Sequence, residues 1–175
     1  VKRHKGLLMI IVPRPSDRGA VIADMLAAKG LAACRRSAGA MPGAEIDVYV
    51  ADTIGELGTF YALAPLAFIG GSLVPHGGQN PIEAVRHNAA VLTGPHTHNF
   101  TDSYKALAQH GGVKLIKDAA TLAEAVDALL ADPQALARMN VGAETALEGL
   151  AGALRLTTEA ILALLPQRDE LHRAG

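Results

Sequence analysis

The segment GGSLVPHGGQNPIEA, residues 70–84, combines four glycines with the start signals of a helix. Asn80 can cap that helix through its side-chain oxygen, and Pro81 suits the first helical position because its missing N–H would be unpaired there. The free N–H groups at a helix start favour an anion. Glu83, at the third helical position, can accept a hydrogen bond from the N–H of Asn80 or from ligand hydroxyls such as a ribose diol. The segment therefore predicts a phosphate or nucleotide site, with a plain turn followed by a capping box as the alternative.

Two common phosphate-binding motifs do not occur in this segment. No Gly-Lys-Ser/Thr follows the glycines, which excludes a Walker loop, and the spacing does not match the G-x-G-x-x-G dinucleotide fingerprint. Any nucleotide site built here is therefore of another kind.

An arginine and several histidines lie in other predicted loops. Arg14, in VPRPSDR (residues 12–18), can clamp a phosphate with its fork of donors, and a solvated loop arginine is the alternative. His96 and His98 could bind a metal as a pair, but neither a Cys pair nor a His-x-x-x-His accompanies them, and two ligands make a poor site. Histidines bonded to backbone or ligand are the favoured interpretation, and we expect no bound metal.

Composition argues against several classes of function. The 175 residues carry a net charge of −1, which argues against a strongly basic nucleic-acid surface. Half of the residues are apolar and 3% are aromatic, so small and aliphatic side chains must fill the core. The one cysteine, Cys34, permits no internal disulfide and is expected to be a small buried residue. No run approaches the roughly 18 apolar residues that span a bilayer.

Short apolar runs alternate with helical patterns along the chain. Six runs are predicted strands, at residues 6–13, 31–37, 45–52, 66–71, 89–95 and 113–116. Helix starts are predicted at Ser16, at a Thr53/Glu56 capping box, at Asn80-Pro81, near Asp102 and at a Thr121/Glu124 capping box. The last helical pattern runs to Leu165 and is expected to break near Asp132-Pro133 and at residues 149–152.

This alternation predicts an α/β fold. We expect a doubly wound, Rossmann-like parallel sheet of about six strands with helices on both faces, over residues 1–165, and a polar tail at residues 166–175. Ligands bind such sheets beyond the carboxyl ends of the strands. That edge would gather Arg14, the 70–84 segment, ADTIGEL (residues 51–57) and TGPHTHNF (residues 93–100), in which His96 and Asn99 can face the cleft.

Three motifs together resemble one enzyme family. DTIGEL (residues 52–57), AFIGGSLVPHGGQNPIEA (residues 67–84) and VLTGPHTHNF (residues 91–100) are similar, in order and spacing, to the 3-deoxy-D-manno-octulosonic acid (Kdo) transferases of Gram-negative bacteria. The resemblance extends from about residue 6 to residue 165. It implies one Rossmann-like half of a GT-B glycosyltransferase, namely the carboxyl-terminal half that binds the nucleotide-sugar donor.

The resemblance also implies an activity for the parent enzyme. Kdo would be transferred from the donor CMP-Kdo to a lipid A precursor in lipopolysaccharide biosynthesis, at the cytoplasmic face of the bacterial inner membrane and without a cofactor. An amino-terminal half would supply the membrane anchor, the acceptor surface and the acidic general base. This chain, which begins at Val1, is then expected to be a soluble piece of a longer protein without catalytic residues of its own, and a processed N-terminus is the alternative.

Two other functions stay open beside this one. The chain can be the donor domain of another GT-B enzyme that uses a UDP-sugar, or a nucleotide-binding or interaction module without catalysis. The preference for cytidine over uridine would separate the two enzymes.

Carried onto this sequence, the resemblance implies that Glu83 binds the ribose hydroxyls of CMP and that Arg14 faces its phosphate. Gly55 and Glu56 would lie near the cytosine and ribose, and the other positions would shape or line the cleft. The complete donor-binding set is Arg14, Gly55, Glu56, Gly71, Ser72, Gly77, Gly78, Asn80, Glu83, Gly94, Pro95 and His96. One departure concerns residues 13–18, which read Pro-Arg-Pro-Ser-Asp-Arg where the family usually has Pro-Arg-His-Pro-Glu-Arg, so the role of that His is in doubt here.

Overall fold

The computed structural model describes residue 4 and residues 6–164, and it divides the chain into two compact units. The first unit is Val1–Phe60 and the second is Tyr61–Gly175. The predicted polar tail at residues 166–175 lies outside the described residues.

The first unit contains a parallel three-stranded sheet in the order β1-β3-β2. Its strands are β1 (Met9–Ile11), β2 (Ala33–Arg35) and β3 (Val48–Val50). Apolar side chains alternate between the two faces of β3: Val48 and Val50 pack with Leu26 of helix α1 (Gly19–Ala28), and Tyr49 packs edge-on with Phe60 of helix α2 (Leu57–Leu63). Helical side chains therefore cover both faces of this sheet.

The second unit contains another parallel three-stranded sheet, in the order β4-β5-β6. Its strands are β4 (Leu66–Ile69), β5 (Ala90–Thr93) and β6 (Val113–Leu115), with Leu66 opposite Ala90 and Val91 opposite Val113. All four residues of β5 are buried, as expected for the central strand of a parallel sheet covered on both faces.

Four further helices flank the second sheet. They are α3 (Ile82–Arg86), α4 (Thr101–Gln109), α5 (Ala119–Ala131) and α6 (Pro133–Leu164). Val91 of β5 packs in a cluster with side chains of α3, α4 and α6, whereas its neighbour Leu92 packs in a second cluster with side chains of α5 and α6. Successive side chains of β5 point to opposite faces of the sheet, so each face has its own hydrophobic cluster.

The α/β class with parallel strands and helices on both faces is confirmed, and all six predicted strands are present. The single sheet of about six strands is wrong: the described strands form two sheets of three. Alternating strands and helices predict parallel pairing because each helix returns the chain to the start of the next strand. They do not predict which strands pair, because pairing is a tertiary choice of neighbours.

Several predicted helix starts differ from the structure. Ser16 begins a 3-10 turn, Ser16–Arg18, and caps no helix with its side chain. Helix α5 is capped by Asp118, which exchanges hydrogen bonds with Thr121, so the capping box starts three residues before the predicted one. The carboxylate oxygen of Asp118 competes well for the free N–H of the first turn, and Thr121 sits inside the helix.

The predicted break at residues 149–152 does not occur, because α6 runs without interruption from Pro133 to Leu164. The break at Asp132-Pro133 is present, since α5 ends at Ala131 and α6 begins at Pro133. Two glycines in a long helix cost roughly 1 kcal/mol each relative to alanine, which helical propensity in the surrounding residues can outweigh. A proline at a first helical position, in contrast, fixes a boundary.

Candidate functional site

The loops that follow β4 and β5 are joined at the carboxyl edge of the second sheet by Ser72. Its side chain is fully buried, and its hydroxyl donates to the carbonyl of Ile69 (2.5 Å) and accepts from the N–H of Gly94 (2.8 Å). The N–H of His96 in turn donates to the carbonyl of Ser72 (3.0 Å). A Cβ at Gly94 would overlap the carbonyl of Ser72, so the two loops approach as closely as backbones can.

A second link between these loops joins Asn99 to the glycine turn. Gly77 and Gly78 have positive φ angles of 97° and 71° and are buried. The side-chain amide of Asn99 donates to the carbonyls of His76 (3.1 Å) and Gly78 (3.5 Å), and the N–H of Asn99 donates to the carbonyl of Gly77 (3.1 Å). A Cβ at Gly77 would overlap the Asn99 side chain, so glycine is needed here for space as well as for φ.

Asn80 lies just before helix α3, which begins one residue later than predicted, with Pro81 in the cap position and Ile82 as its first residue. Its side-chain oxygen accepts a hydrogen bond from the N–H of Ile82 (3.0 Å), while Pro81 is buried and already has helical dihedral angles. The hydroxyl of Tyr104, on α4, donates to the carbonyl of Gln79 (2.9 Å) and fixes the residue before Asn80. Because α3 has only five residues, its dipole contributes less to anion binding than a longer helix would.

Glu83 lies in the first turn of α3 with an exposed side chain. In the part of the chain that the structure describes, its carboxylate receives no hydrogen bond, so the reciprocal bond to the N–H of Asn80 does not form. Burial, together with the negative charge of Glu83, raises the pKa of Tyr61. The structure thus presents a carboxylate that is held on an ordered helix start and remains available to accept hydrogen bonds.

The other predicted residues of this edge lie in the same two loops. Gly71, with φ of 71°, accepts a hydrogen bond on its carbonyl from the N–H of Gly78 (3.1 Å). Pro95 is exposed and His96 is half-buried beside the Ser72 backbone. The structure therefore brings together Gly71, Ser72, Gly77, Gly78, Asn80, Glu83, Gly94, Pro95 and His96 at one edge of the second sheet.

The first unit holds the three remaining predicted residues. Arg14 is exposed between β1 and the 3-10 turn, and Gly55 lies in an exposed turn after β3. Glu56 accepts two hydrogen bonds from Arg36, with Oε1 2.7 Å from Nη2 and Oε2 3.2 Å from Nε. The expected Thr53/Glu56 capping box is wrong, because the Thr53 hydroxyl bonds directly to the Glu56 carboxylate and α2 begins only after both residues, at Leu57.

The contact between Arg36 and Glu56 changes the pKa values of both side chains. The hydrogen bonds from Arg36 and Thr53 lower the pKa of Glu56 to about 2, and the same contact with Glu56, with a smaller one from Tyr49, raises the pKa of Arg36. Both partners are therefore held in their charged forms.

Sequence reasoning missed a buried acidic centre in the first unit. Burial would raise the pKa of Asp52, but hydrogen bonds from the N–H (2.8 Å) and hydroxyl (2.7 Å) of Ser37 and from Nε of Arg35 (2.9 Å) outweigh burial and lower it to about 2. A Cβ at Gly19, the first residue of α1, would overlap this carboxylate. A signal was available: Arg35 ends β2 and Arg36 follows it, Asp52 and Glu56 follow β3, and parallel neighbours bring those ends together.

Two other features, a metal site with three or more ligands and a membrane-spanning helix, are absent from the described residues. Residue 4 and residues 6–164 contain no group of three or more His, Cys, Asp or Glu side chains placed to hold a metal ion. Within the same residues, no helix combines the length and the apolar character that crossing a membrane requires.

Curated proteins and a solved structure resemble this chain, although no family model matches it. The 3-deoxy-D-manno-octulosonic acid transferase of Bordetella pertussis is 40% identical over 155 residues, and that of Haemophilus influenzae is 36% identical over 156 residues. Each match covers 88% of this chain, and the chain spans 36% of the length of either relative.

The solved structure is the C-terminal CMP-Kdo binding domain of WaaA from Acinetobacter baumannii. It superposes with a TM-score of 0.81 at 32% identity, over 83% of this chain and 76% of that one. The resemblance found in the loop motifs is confirmed. The parallel strands, the loops at their carboxyl ends and these matches together show that the chain belongs to the 3-deoxy-D-manno-octulosonic acid transferase family, in which it corresponds to the C-terminal domain.

Proposed function

We propose that this chain binds the nucleotide part of CMP-Kdo and is the donor-binding half of a Kdo transferase. Support comes from the family and from the solved neighbour, which is described as a CMP-Kdo binding domain. Support also comes from the position of the cross-linked loops, since parallel α/β sheets bind ligands beyond the carboxyl ends of their strands.

The observation that carries this proposal is the free carboxylate of Glu83 on a rigidly held helix start. The side chain of Asn80 accepts a hydrogen bond from the N–H of Ile82, the first residue of α3, and Tyr104 fixes the residue before Asn80. An ionised carboxylate accepts hydrogen bonds and donates none, so its two oxygens suit the two hydroxyls of a ribose. We therefore assign Glu83 to the ribose of CMP.

We propose that other backbone N–H groups of the same loops face the charge of the phosphate, since those of Gly78, Gly94, His96 and Asn99 donate within the protein. Backbone N–H groups in glycine-rich turns bind anions without side-chain charge. Stabilising the departing CMP while the anomeric carbon is attacked needs such preorganised donors, and we propose that no metal ion is required. CMP affinity that is unchanged by a chelator such as EDTA would support this, and affinity that falls on chelation and returns with a divalent cation would contradict it.

The activity of the whole protein extends the proposal beyond this chain. We propose that the part of the polypeptide outside these 175 residues provides the general base, the surface for a lipid A precursor and the association with the inner membrane. The roles of Arg14, Gly55 and Glu56 toward the donor stay predictions from the family. Transfer of Kdo by the full-length protein, compared with this chain under the same conditions, tests the division of labour.

The deciding experiment is a calorimetric titration of this chain with CMP, UMP and AMP, repeated on Glu83→Gln. Glutamine keeps the size of the side chain but replaces one acceptor oxygen by a donor. We expect the wild type to prefer CMP over UMP and AMP, and the variant to bind CMP at least about tenfold more weakly. Glu144→Gln, at an exposed position on α6, is the matched control and should bind as the wild type does. Preference for UMP would favour a UDP-sugar donor, and absence of nucleotide binding would contradict a donor site in this chain.

A further inference from the structure

Asn99 has a position that the proposed function does not yet use. It follows β5 and lies in the 3-10 turn His98–Phe100, before α4. Its side-chain amide nevertheless reaches back to the loop after β4 and donates to the carbonyls on either side of Gly77, those of His76 and Gly78. A side chain 21 residues further along the chain thus defines the turn.

The turn that Asn99 holds is continuous with the proposed ribose site. Gly78 is two residues before Asn80, whose side chain bonds to the first N–H of α3, and Glu83 lies in the first turn of that helix. Because both glycines have positive φ angles, this segment would have many conformations if its carbonyls were not bonded. A change at Gly77 and Gly78 would therefore act on Gln79, which Tyr104 holds from the other side, and through it on the start of α3.

Because Asn99 is exposed, a substitution there can change the position of the glycine turn without disturbing the hydrophobic core. Its side chain is exposed, so truncating it opens no cavity in the core. The hydrogen bond from its backbone N–H to Gly77 does not involve the side chain, so alanine or glutamine at this position can still make it. Loss of the amide thus removes only the two side-chain bonds to the turn.

We propose that Asn99 is a positioning residue for nucleotide binding, which acts through the turn of Gly77 and Gly78 on Asn80 and Glu83. This inference rests on the proposed function, because it concerns the same site. Asn99 needs no contact with the nucleotide, and its effect is to keep the Glu83 carboxylate in one place.

Asn140 offers a matched control within the same unit. Its side-chain amide also donates to a backbone carbonyl, that of Asn88, at 3.1 Å. Asn88 precedes the amino end of β5, whereas Asn99 follows its carboxyl end, so the two bonds lie at opposite ends of one strand. Asn140→Ala therefore removes a bond of the same chemistry away from the proposed site.

The test compares CMP titrations and urea unfolding for the wild type, Asn99→Ala, Asn99→Gln and Asn140→Ala. We expect Asn99→Ala to weaken CMP binding about tenfold, Asn99→Gln to recover part of the loss because it keeps the donor, and Asn140→Ala to bind within about twofold of the wild type. Amide NMR without ligand should show shifted resonances of Gly77, Gly78 and Glu83 in Asn99→Ala and not in Asn140→Ala.

Each contrary outcome has a distinct meaning. Wild-type binding that Asn99→Ala leaves unchanged overturns the inference and leaves the proposed function standing. If Asn99→Ala and Asn140→Ala weaken CMP binding equally, Asn99 has only a general structural role. If Asn99→Gln recovers none of the lost CMP affinity, the donated hydrogen bonds are not responsible for it. Either outcome overturns the inference. A wild type that binds no CMP overturns the proposed function, and the inference with it.

Discussion

The buried hydroxyl of Ser72 accepts a hydrogen bond of 2.8 Å from the backbone N–H of Gly94, and this bond joins the loops that follow two neighbouring strands. The same hydroxyl donates to Ile69, so its donor and one acceptor position are both used within the protein. Ser72 belongs to the predicted donor-binding set, and in the structure its side chain shapes the loops on which the other residues of that set lie.

Ser72→Ala should destabilise the second unit. The substitution leaves the N–H of Gly94 buried without its partner, and such losses cost about 1–3 kcal/mol of unfolding free energy. Urea unfolding measures this loss. Ser103→Ala, at a half-buried position on α4, is the control and should change stability little. A Ser72→Ala protein as stable as the control would show that the bond contributes nothing.

Gly77→Ala should cost more stability than its backbone angle explains. Alanine at positive φ is strained, and here its Cβ would also displace the side chain of Asn99. Gly111→Ala is the control for positive φ without overlap, because Gly111 has a φ of 69° and open space around it, and the larger φ of Gly77, 97°, adds to the backbone part of the difference. The positive φ angle alone should lower the free energy of unfolding by about 1 kcal/mol or more in each variant. Gly77→Ala should lose more than this, and its CMP affinity should fall too. Equal unfolding free energies for the two variants would contradict the overlap.

Asp52→Asn should change the acid stability of the first unit. The folded-state pKa of Asp52 is lowered to about 2, so its ionised form stabilises the fold above the pKa of the unfolded chain. That contribution is lost as the pH falls from about 4 to about 2. We expect Asp52→Asn to be less stable than the wild type at pH 7 and the difference to shrink across this window.

Acid titration of the unfolding free energy measures this difference. Asp24→Asn, an exposed position on α1, controls for the loss of one negative charge. A difference between Asp52→Asn and the wild type that is constant from pH 7 to pH 2 would exclude an ionised Asp52 as its source.

The pair of Arg36 and Glu56 should respond to salt. Two hydrogen bonds join them, and about a third of each side chain is exposed, at 37% and 32%. Arg36→Gln should therefore destabilise the first unit at low salt, and the loss should diminish toward about 1 M salt because screening shortens the reach of charge interactions. Arg138→Gln, from a pair of 3.5 Å with more exposed partners, should show a smaller effect. Salt-independent destabilisation by Arg36→Gln would indicate lost packing instead.

Local features of the fold could be predicted from the sequence. Short, mostly apolar runs predicted every strand in the described residues, and the prediction is best founded for β3 and β5, whose residues are all buried. The side-chain oxygen of Asn80 bonds to an N–H at the helix start as expected, although α3 begins one residue later than predicted, with Pro81 in the cap position. The sequence did not show which of two nearby polar residues caps a helix. Asp118, rather than Thr121, caps α5.

Sequence by itself determined the strands, the glycine-rich loops and, through three motifs taken together, the family; these depend on residues close in the chain. Tertiary structure decided that the strands form two sheets of three, and it paired Asp52 with Arg35 and Ser37 and Glu56 with Arg36. It also brought Asn99 to the turn of Gly77 and Gly78. The physical reason is that a hydrogen bond between residues 15 or more positions apart depends on which strands become neighbours, and no local pattern encodes that choice.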